Sequence, residues 1–156
     1  MTTNQLEIEV AMQIQKPIHE VFEAIVNPEK MANYFISEST GKMEEGTELI
    51  WKFPEFDFDC PVRIGKIENN KYISYSWMME EQELFVEMTL TEKENNSTLV
   101  SITEKSMENN EKGLNWLSGN SFGWSNFLSC LKAYLEYGIN LRKGAFDFMR
   151  KENQCS

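Results

Sequence analysis

Side chains able to carry out acid–base or nucleophilic chemistry are few in this sequence of 156 residues. His19 is the only histidine, and the helical spacing around it predicts an exposed position. Ser-His-Asp and Cys-His sites place a histidine beside the nucleophile, so such a site would have to use His19. The sequence contains no Cys-x-x-Cys, histidine pair, glycine-rich phosphate loop or dinucleotide-binding motif. We therefore expect no catalytic residue, no metal site and no cofactor.

Carboxylates are numerous but mostly scattered. Glu55, Asp57 and Asp59 alternate with phenylalanines, which predicts that all three lie on a solvent-facing strand surface or sheet edge. Another group, within residues 80 to 83, falls in a predicted hairpin turn. These acidic residues are expected to be solvated surface charges.

Glu104 is the exception, because it follows Val100 and Ile102 at steps of two. If the strand continues that far, Glu104 points inward, where a carboxylate must be paired or hydrogen-bonded and could orient a ligand amine or hydroxyl. If the strand ends earlier, Glu104 lies at a solvated rim. The sequence leaves both positions open.

A larger set of side chains could bind a molecule rather than transform it. These residues are wide and apolar, and some carry a polar tip, as is usual for the walls of ligand pockets. The predicted lining comprises Trp51, Phe53, Tyr75, Trp77, Met88, Glu104, Trp124, Phe127 and Leu128. Core packing is the alternative explanation for each aromatic residue taken singly.

The elements that must position these residues follow from hydrophobic periodicity. Strict alternation predicts a strand over residues 6 to 14, and Pro17 then opens a helix that runs to residue 26. Asn27 caps a second short helix, with Pro28 in its first turn. Alternation returns in five further strands, over residues 46–53, 58–67, 72–79, 84–90 and 98–103.

A long amphipathic helix closes the pattern, beginning near Ser121 and ending at Gly138. Its apolar stripe must be buried, and the concave face of an antiparallel sheet is the only surface large enough. We therefore predict an α+β fold in which a curved antiparallel sheet of six to seven strands wraps around this helix. A gap between the two layers would form a pocket.

Four stretches resemble one known family. Residues 14–31 resemble its opening signature of a proline, a Val-Phe pair and an Asn-Pro-Glu turn. Gly65-Lys66-Ile67-Glu68 and Ser76-Trp77 resemble its sheet pattern, and Gly123-Trp124 with the apolar residues that follow resembles its last helix. The family is the helix-grip, START-like superfamily, in particular homologues of the C-terminal domain of the activator of heat-shock protein 90 ATPase.

This resemblance covers about residues 6–138 of a single domain that spans residues 1–156, leaving 139–156 as a C-terminal extension. It implies a cavity for an apolar or amphipathic small molecule, and it implies no reaction. The extension contains Arg142, Lys143, Phe146 and Phe148, and we expect it to fold back on the domain rather than pack across a dimer axis.

Composition limits the partners and the compartment. The formal net charge is -10, from 25 acidic and 15 basic residues, which argues against nucleic acid and anionic membranes. No apolar run is long enough to insert into a membrane, and the N-terminus has no secretion signal. Cys60, Cys130 and Cys155 are an odd, widely spaced set, typical of reduced thiols in the cytoplasm.

The functional hypothesis is a cytoplasmic binding protein, monomeric or homodimeric, that holds an apolar or amphipathic small molecule without catalysis. One alternative is a protein-interaction module that binds a chaperone or another protein through its acidic face. Another is a small cyclase-like or hydrolase-like enzyme, which would need Glu104 as an inward acid or base.

Overall fold

A computed structural model describes residues 4–79 and 81–149, with only the backbone described at Met79. The predicted α+β helix-grip architecture is confirmed: seven antiparallel strands form one curved sheet, and a long C-terminal helix packs on it. Cys155 and the end of the C-terminal extension lie outside the described residues. Among the described helices, none has the length and hydropathy needed to cross a membrane.

The sheet begins with β1, Gln5–Ile14, which continues into two short helices, α1 (Ile18–Val26) and α2 (Pro28–Met31). The Asn27 side chain caps α2 by accepting a hydrogen bond from the backbone N–H of Glu29, at 2.9 Å, as the Asn-Pro pair predicts. Helix α1 packs against the sheet and the long C-terminal helix. The Tyr34 and Phe35 rings, just after α2, contact Phe127 of that helix.

The remaining strands form a meander. They are β2 (Glu38–Ser39), β3 (Glu48–Lys52), β4 (Cys60–Glu68), β5 (Tyr72–Met79), β6 (Gln82–Lys93) and β7 (Ser97–Glu108). The strand order is β1-β7-β6-β5-β4-β3-β2, so β1 pairs with the last strand rather than with its neighbour in sequence. The two-residue β2 is too short for a periodicity signal, and β7 extends five residues past the predicted end.

Helix α3, Glu111–Tyr137, is 27 residues long and begins ten residues before the predicted start near Ser121. That prediction was wrong because residues 111–120 include glycine, serine and asparagine, which have low helix propensity. Other contacts stabilise this part of the helix instead. The Asn110 side chain caps it by accepting a hydrogen bond from the backbone N–H of Gly113, and Trp116 is buried. Gly138 ends the helix with φ of 66°, as predicted.

The segment after α3, residues 139–149, is called the tail segment here. It folds back on the parent domain through Arg142, whose guanidinium pairs with Glu55. Ile139, Leu141 and Phe148 nevertheless remain about half exposed, so the tail segment buries little of its own apolar surface.

The predicted solvent-facing position of Glu55 is wrong. Asp57 and Asp59 are exposed, but Glu55 is only 6% exposed. Residues 54–59 form turns instead of continuing a strand, so the period-two alternation does not apply to them. The turn directs Glu55 toward Arg142 and leaves the Phe58 ring 60% exposed.

Candidate functional site

The predicted aromatic residues converge between the sheet and α3. On β5, Tyr75 and Trp77 lie two residues apart and share one face, with ring centroids 5.2 Å apart. Trp51 on β3 contacts Tyr75 at 5.1 Å, and Trp124 on α3 approaches Trp77 to 5.8 Å. Phe127, three residues after Trp124 on the same helix face, is 5.4 Å from it. One continuous aromatic cluster therefore joins the two layers.

Glu104 lies inside this cluster rather than at a solvated rim. Strand β7 continues to Glu108, so the alternation that buries Val100 and Ile102 also buries Glu104, which is fully inaccessible to solvent. Its carboxylate accepts hydrogen bonds from Trp77 Nε1 at 2.7 Å, Trp124 Nε1 at 3.0 Å and Asn120 Nδ2 at 3.0 Å. These three bonds satisfy the buried carboxylate and fix the orientation of both indoles.

A cavity of about 430 Å³ adjoins the cluster and opens on the protein surface between α3, the β3–β4 turn and the tail segment. Its volume lies in the usual range for small-molecule sites, roughly 300–1,000 Å³. Four of the predicted lining residues form its walls, namely Phe53, Trp77, Trp124 and Phe127. The other five are buried and do not line it: Trp51, Tyr75, Met88, Glu104 and Leu128.

Two glycines of α3 keep part of the cavity open. Gly119 and Gly123 lie one helical turn apart and both line it. A Cβ atom built on either residue would meet no other atom within 4 Å. Glycine in the middle of a helix costs about 1 kcal/mol relative to alanine, and here it leaves room beside Trp124.

Several aromatic residues of the cavity were not predicted from the sequence. Phe35 is not among the predicted lining residues, yet it lines the cavity, and its ring is 5.3 Å from Phe53 and 4.8 Å from Phe127. Phe56, Phe58, Phe122 and Phe146 also line the cavity. Phe56, Phe58 and Phe146 come from turns and the tail segment, where periodicity carries little signal. Phe122 lies within the predicted part of α3 but on its exposed side.

The tail segment forms one edge of the cavity. Arg142 donates to Glu55 through both terminal nitrogens, at 3.1 Å and 2.5 Å, and both side chains are largely buried. The guanidinium also lies over Phe53 and Phe146, 5.6 Å and 5.0 Å from their ring centroids. A second cavity, of about 590 Å³, is also lined by Glu55 and Arg142, so this ion pair borders both cavities.

Some of the N–H and O–H groups in the aromatic cluster have a hydrogen-bond partner and others do not. Among the described residues, Trp51 Nε1 and the Tyr75 hydroxyl have no hydrogen-bond partner. Burial, followed by the nearby Glu104, raises the pKa of Tyr75 well above its ordinary value, so the hydroxyl stays neutral at physiological pH. Burial also raises the pKa of the Cys60 thiol, which lines the cavity, as expected for an unreactive cysteine.

His19, the only histidine of the sequence, is not among the residues that line the cavity. His19 is exposed on α1, as predicted. Within residues 4–79 and 81–149, no three His, Cys, Asp or Glu side chains come together as a metal-ligand group. What the arrangement can do is enclose an apolar surface between aromatic walls.

Comparison with known proteins agrees with this architecture. A family profile described as "Activator of Hsp90 ATPase homolog 1-like protein" matches residues 15–136, which include both layers and the aromatic cluster. The chain belongs to this family. Among curated proteins, none matches its sequence.

Several solved structures that are similar to this chain show the same fold. Protein SSP2350 of Staphylococcus saprophyticus is 32% identical, with a TM-score of 0.76 over 88% of this chain and 96% of that one. Protein MLL2253 of Mesorhizobium loti is 19% identical, with a TM-score of 0.74 over 84% and 97%. The Aha1 dimer of Colwellia psychrerythraea is 17% identical, with a TM-score of 0.73 over 85% and 98%.

Proposed function

We propose that this protein binds an apolar or amphipathic small molecule, which includes lipid-like molecules, in the cavity between its sheet and α3, without catalysis. The observation that supports this most is the aromatic-walled cavity beside Gly119 and Gly123, where the helix lacks the side chains that would fill it. Binding would be driven by removal of apolar surface from water, worth about 25 cal/mol per Å² before the costs of association.

The bound molecule would contact Phe53, Trp77, Trp124 and Phe127 directly. Trp51, Tyr75, Met88 and Leu128 would support those walls from behind. Glu104 would act as a positioning residue, because it fixes the orientation of Trp77 and Trp124 without reaching the cavity itself.

A pair of substitutions at Gly123 tests this proposal. N-phenyl-1-naphthylamine, a neutral probe whose fluorescence rises in apolar sites, is titrated into the purified protein and its variants. Gly123→Phe should place a ring in the cavity and abolish the fluorescence increase, while Gly123→Ala should bind almost normally. Because nothing lies within 4 Å of the added Cβ, both variants should fold. Equal binding by Gly123→Phe and the unmodified protein would exclude this cavity as the site.

Mass spectrometry under native conditions provides the complementary measurement. A molecule that co-purifies with the protein should be present in the unmodified chain and in Gly123→Ala, and absent from Gly123→Phe. Its mass and fragmentation would identify the ligand directly.

A second candidate function is a protein-interaction module that binds a chaperone and takes part in a stress response. The supporting observation is a set of exposed aromatic rings near the cavity mouth, Phe58 and Phe122, combined with the family's description. We would test it by measuring the ATPase rate of a heat-shock protein 90 chaperone with and without this protein. A salt-sensitive stimulation that Gly123→Phe leaves intact would favour this function over small-molecule binding.

We place the protein in the cytoplasm, since Cys60 and Cys130 are free thiols. We also propose a homodimer as an alternative to a monomer, supported by the solution structure of the Aha1 dimer. An enzymatic role has the weakest support, because Glu104 lies behind two indoles rather than in the cavity wall.

A further inference from the structure

Glu104 places a carboxylate directly behind the cavity wall. Its hydrogen-bond partners are neutral N–H groups, and the ion pairs found among the described residues do not include it. A charge that is buried and not paired with a cation is screened far less than one at the surface. The negative charge of Glu104 therefore acts on whatever occupies the other side of Trp77 and Trp124.

The two indoles transmit this charge toward the cavity. Each donates its ring N–H to Glu104, and both line the cavity while Glu104 does not, so the indoles separate the carboxylate from the cavity. A hydrogen bond to a carboxylate polarises its donor, which increases the electron density of the ring. Tryptophan is the aromatic side chain that attracts cations most strongly. Trp77 and Trp124, with centroids 5.8 Å apart, thus form a wall suited to a positive charge.

The protein already places one cation at the edge of this cavity. The Arg142 guanidinium lies over Phe53 and Phe146 and pairs with Glu55. Arg142 is the one basic side chain among the described residues that line the cavity, and it lies at the tail-segment edge. The wall formed by Trp77 and Trp124 has no such partner among those lining residues.

We propose that the ligand of this cavity is an amphipathic cation, an apolar body carrying an ammonium group that lies against Trp77 and Trp124 in front of Glu104. This inference rests on the proposed function and narrows its ligand class. The net charge of -10 acts in the same direction, because it attracts cations from solution and repels anionic amphiphiles such as fatty acids.

Three probes of matched shape test the inference. Trimethyl(2-naphthylmethyl)ammonium carries the charge, 2-neopentylnaphthalene replaces its nitrogen by carbon, and 2-naphthylacetate is an anion. Dissociation constants are measured by quenching of tryptophan fluorescence with the full chain at 0.15 M salt. We expect the cation to bind about tenfold more tightly than the neutral probe, and the anion to bind most weakly.

Two variants separate the charge of Glu104 from its structural role. In Glu104→Gln the side chain keeps its size, and the preference for the cation over the neutral probe should fall to near unity while the neutral probe still binds. In Arg142→Gln the resident cation is lost and Glu55 is left unpaired, so the preference should increase. The second variant keeps the test decisive if Glu104→Gln fails to fold.

Each remaining outcome contradicts a specific statement. Equal affinity for the cation and the neutral probe, or tightest binding of the anion, would overturn the inference while leaving small-molecule binding intact. An unchanged preference in both variants would overturn it as well. If neither these probes nor N-phenyl-1-naphthylamine bind, the proposed function fails and the inference fails with it.

Discussion

Arg142 and Glu55, which are 87 residues apart in the chain, form a two-point ion pair at the edge of the aromatic cavity. Glu55 follows β3 and Arg142 follows α3, so this pair connects the two layers beside the cavity. We expect the position of the tail segment to depend on this pair, because the apolar side chains of Ile139, Leu141 and Phe148 remain about half exposed.

Removing one partner of this pair should therefore destabilise the protein. Arg142→Met leaves the carboxylate of Glu55 buried without a partner, and we expect a loss of about 3 kcal/mol in the free energy of unfolding. Urea denaturation measures this loss, and limited proteolysis should cut the tail segment faster. The double variant Glu55→Leu with Arg142→Met should recover most of the stability, since no unpaired charge remains.

An exposed ion pair provides the control for this comparison. Lys66 and Glu68 lie 3.9 Å apart with both side chains at least half exposed, so Lys66→Met should cause no measurable change. If Arg142→Met behaves like Lys66→Met, the tail segment is not held by Arg142.

The glycines of α3 should respond to alanine in opposite ways. Gly119→Ala should increase the free energy of unfolding by about 1 kcal/mol, because the added Cβ meets open space and alanine is the better helix former. Gly113→Ala should destabilise the protein strongly, because its Cβ would lie 1.9 Å from the Glu108 carbonyl oxygen. Urea midpoints of the two variants give the comparison. A loss of stability in Gly119→Ala would show that the cavity is not open at this position.

Two buried tyrosines form another matched pair. The Tyr34 hydroxyl donates to the Ala24 carbonyl at 2.9 Å, so Tyr34→Phe should lose about 1 kcal/mol of stability. The Tyr75 hydroxyl has no such partner among the described residues, so Tyr75→Phe should be neutral or up to about 1 kcal/mol more stable. Thermal unfolding of both variants distinguishes the two environments. Equal losses would mean that the Tyr75 hydroxyl makes a bond comparable to that of Tyr34.

The free energy of unfolding should decrease in alkaline solution because Tyr34 and Tyr75 have raised pKa values. Burial is the main cause that raises the pKa of both Tyr34 and Tyr75 well above the ordinary value; Tyr134 adds to it for Tyr34, and Glu104 for Tyr75. The unfolded chain therefore loses these protons first, as pH rises above about 10. Their contribution to stability is complete below that pH and declines above it.

Urea midpoints between pH 8 and pH 11 measure this decline. The double variant Tyr34→Phe with Tyr75→Phe should lose less stability over this interval than the unmodified protein. An identical pH profile for the two proteins would contradict the raised pKa values.

Much of the fold could be predicted because strand and helix periodicities are local properties of the backbone. The alternation in β1 and β5, the Asn27 cap and the Gly138 end of α3 all agree with the structure. The start of α3 could not be predicted, because residues 111–120 include two glycines, two asparagines and a serine. The Asn110 cap, the burial of Trp116 and the hydrogen bond from Asn120 to Glu104 stabilise this part of the helix.

The sequence by itself determined which face of each long element is apolar, and with it the meeting of Trp51, Tyr75, Trp77, Trp124 and Phe127 between the two layers. Only the tertiary structure decided that Glu104 lies behind the indoles, that Glu55 pairs with Arg142 and that a cavity remains beside Gly123. The reason is physical. Side-chain direction follows from the period of the backbone, whereas hydrogen-bond partners and unfilled volume depend on segments that are far apart in the chain.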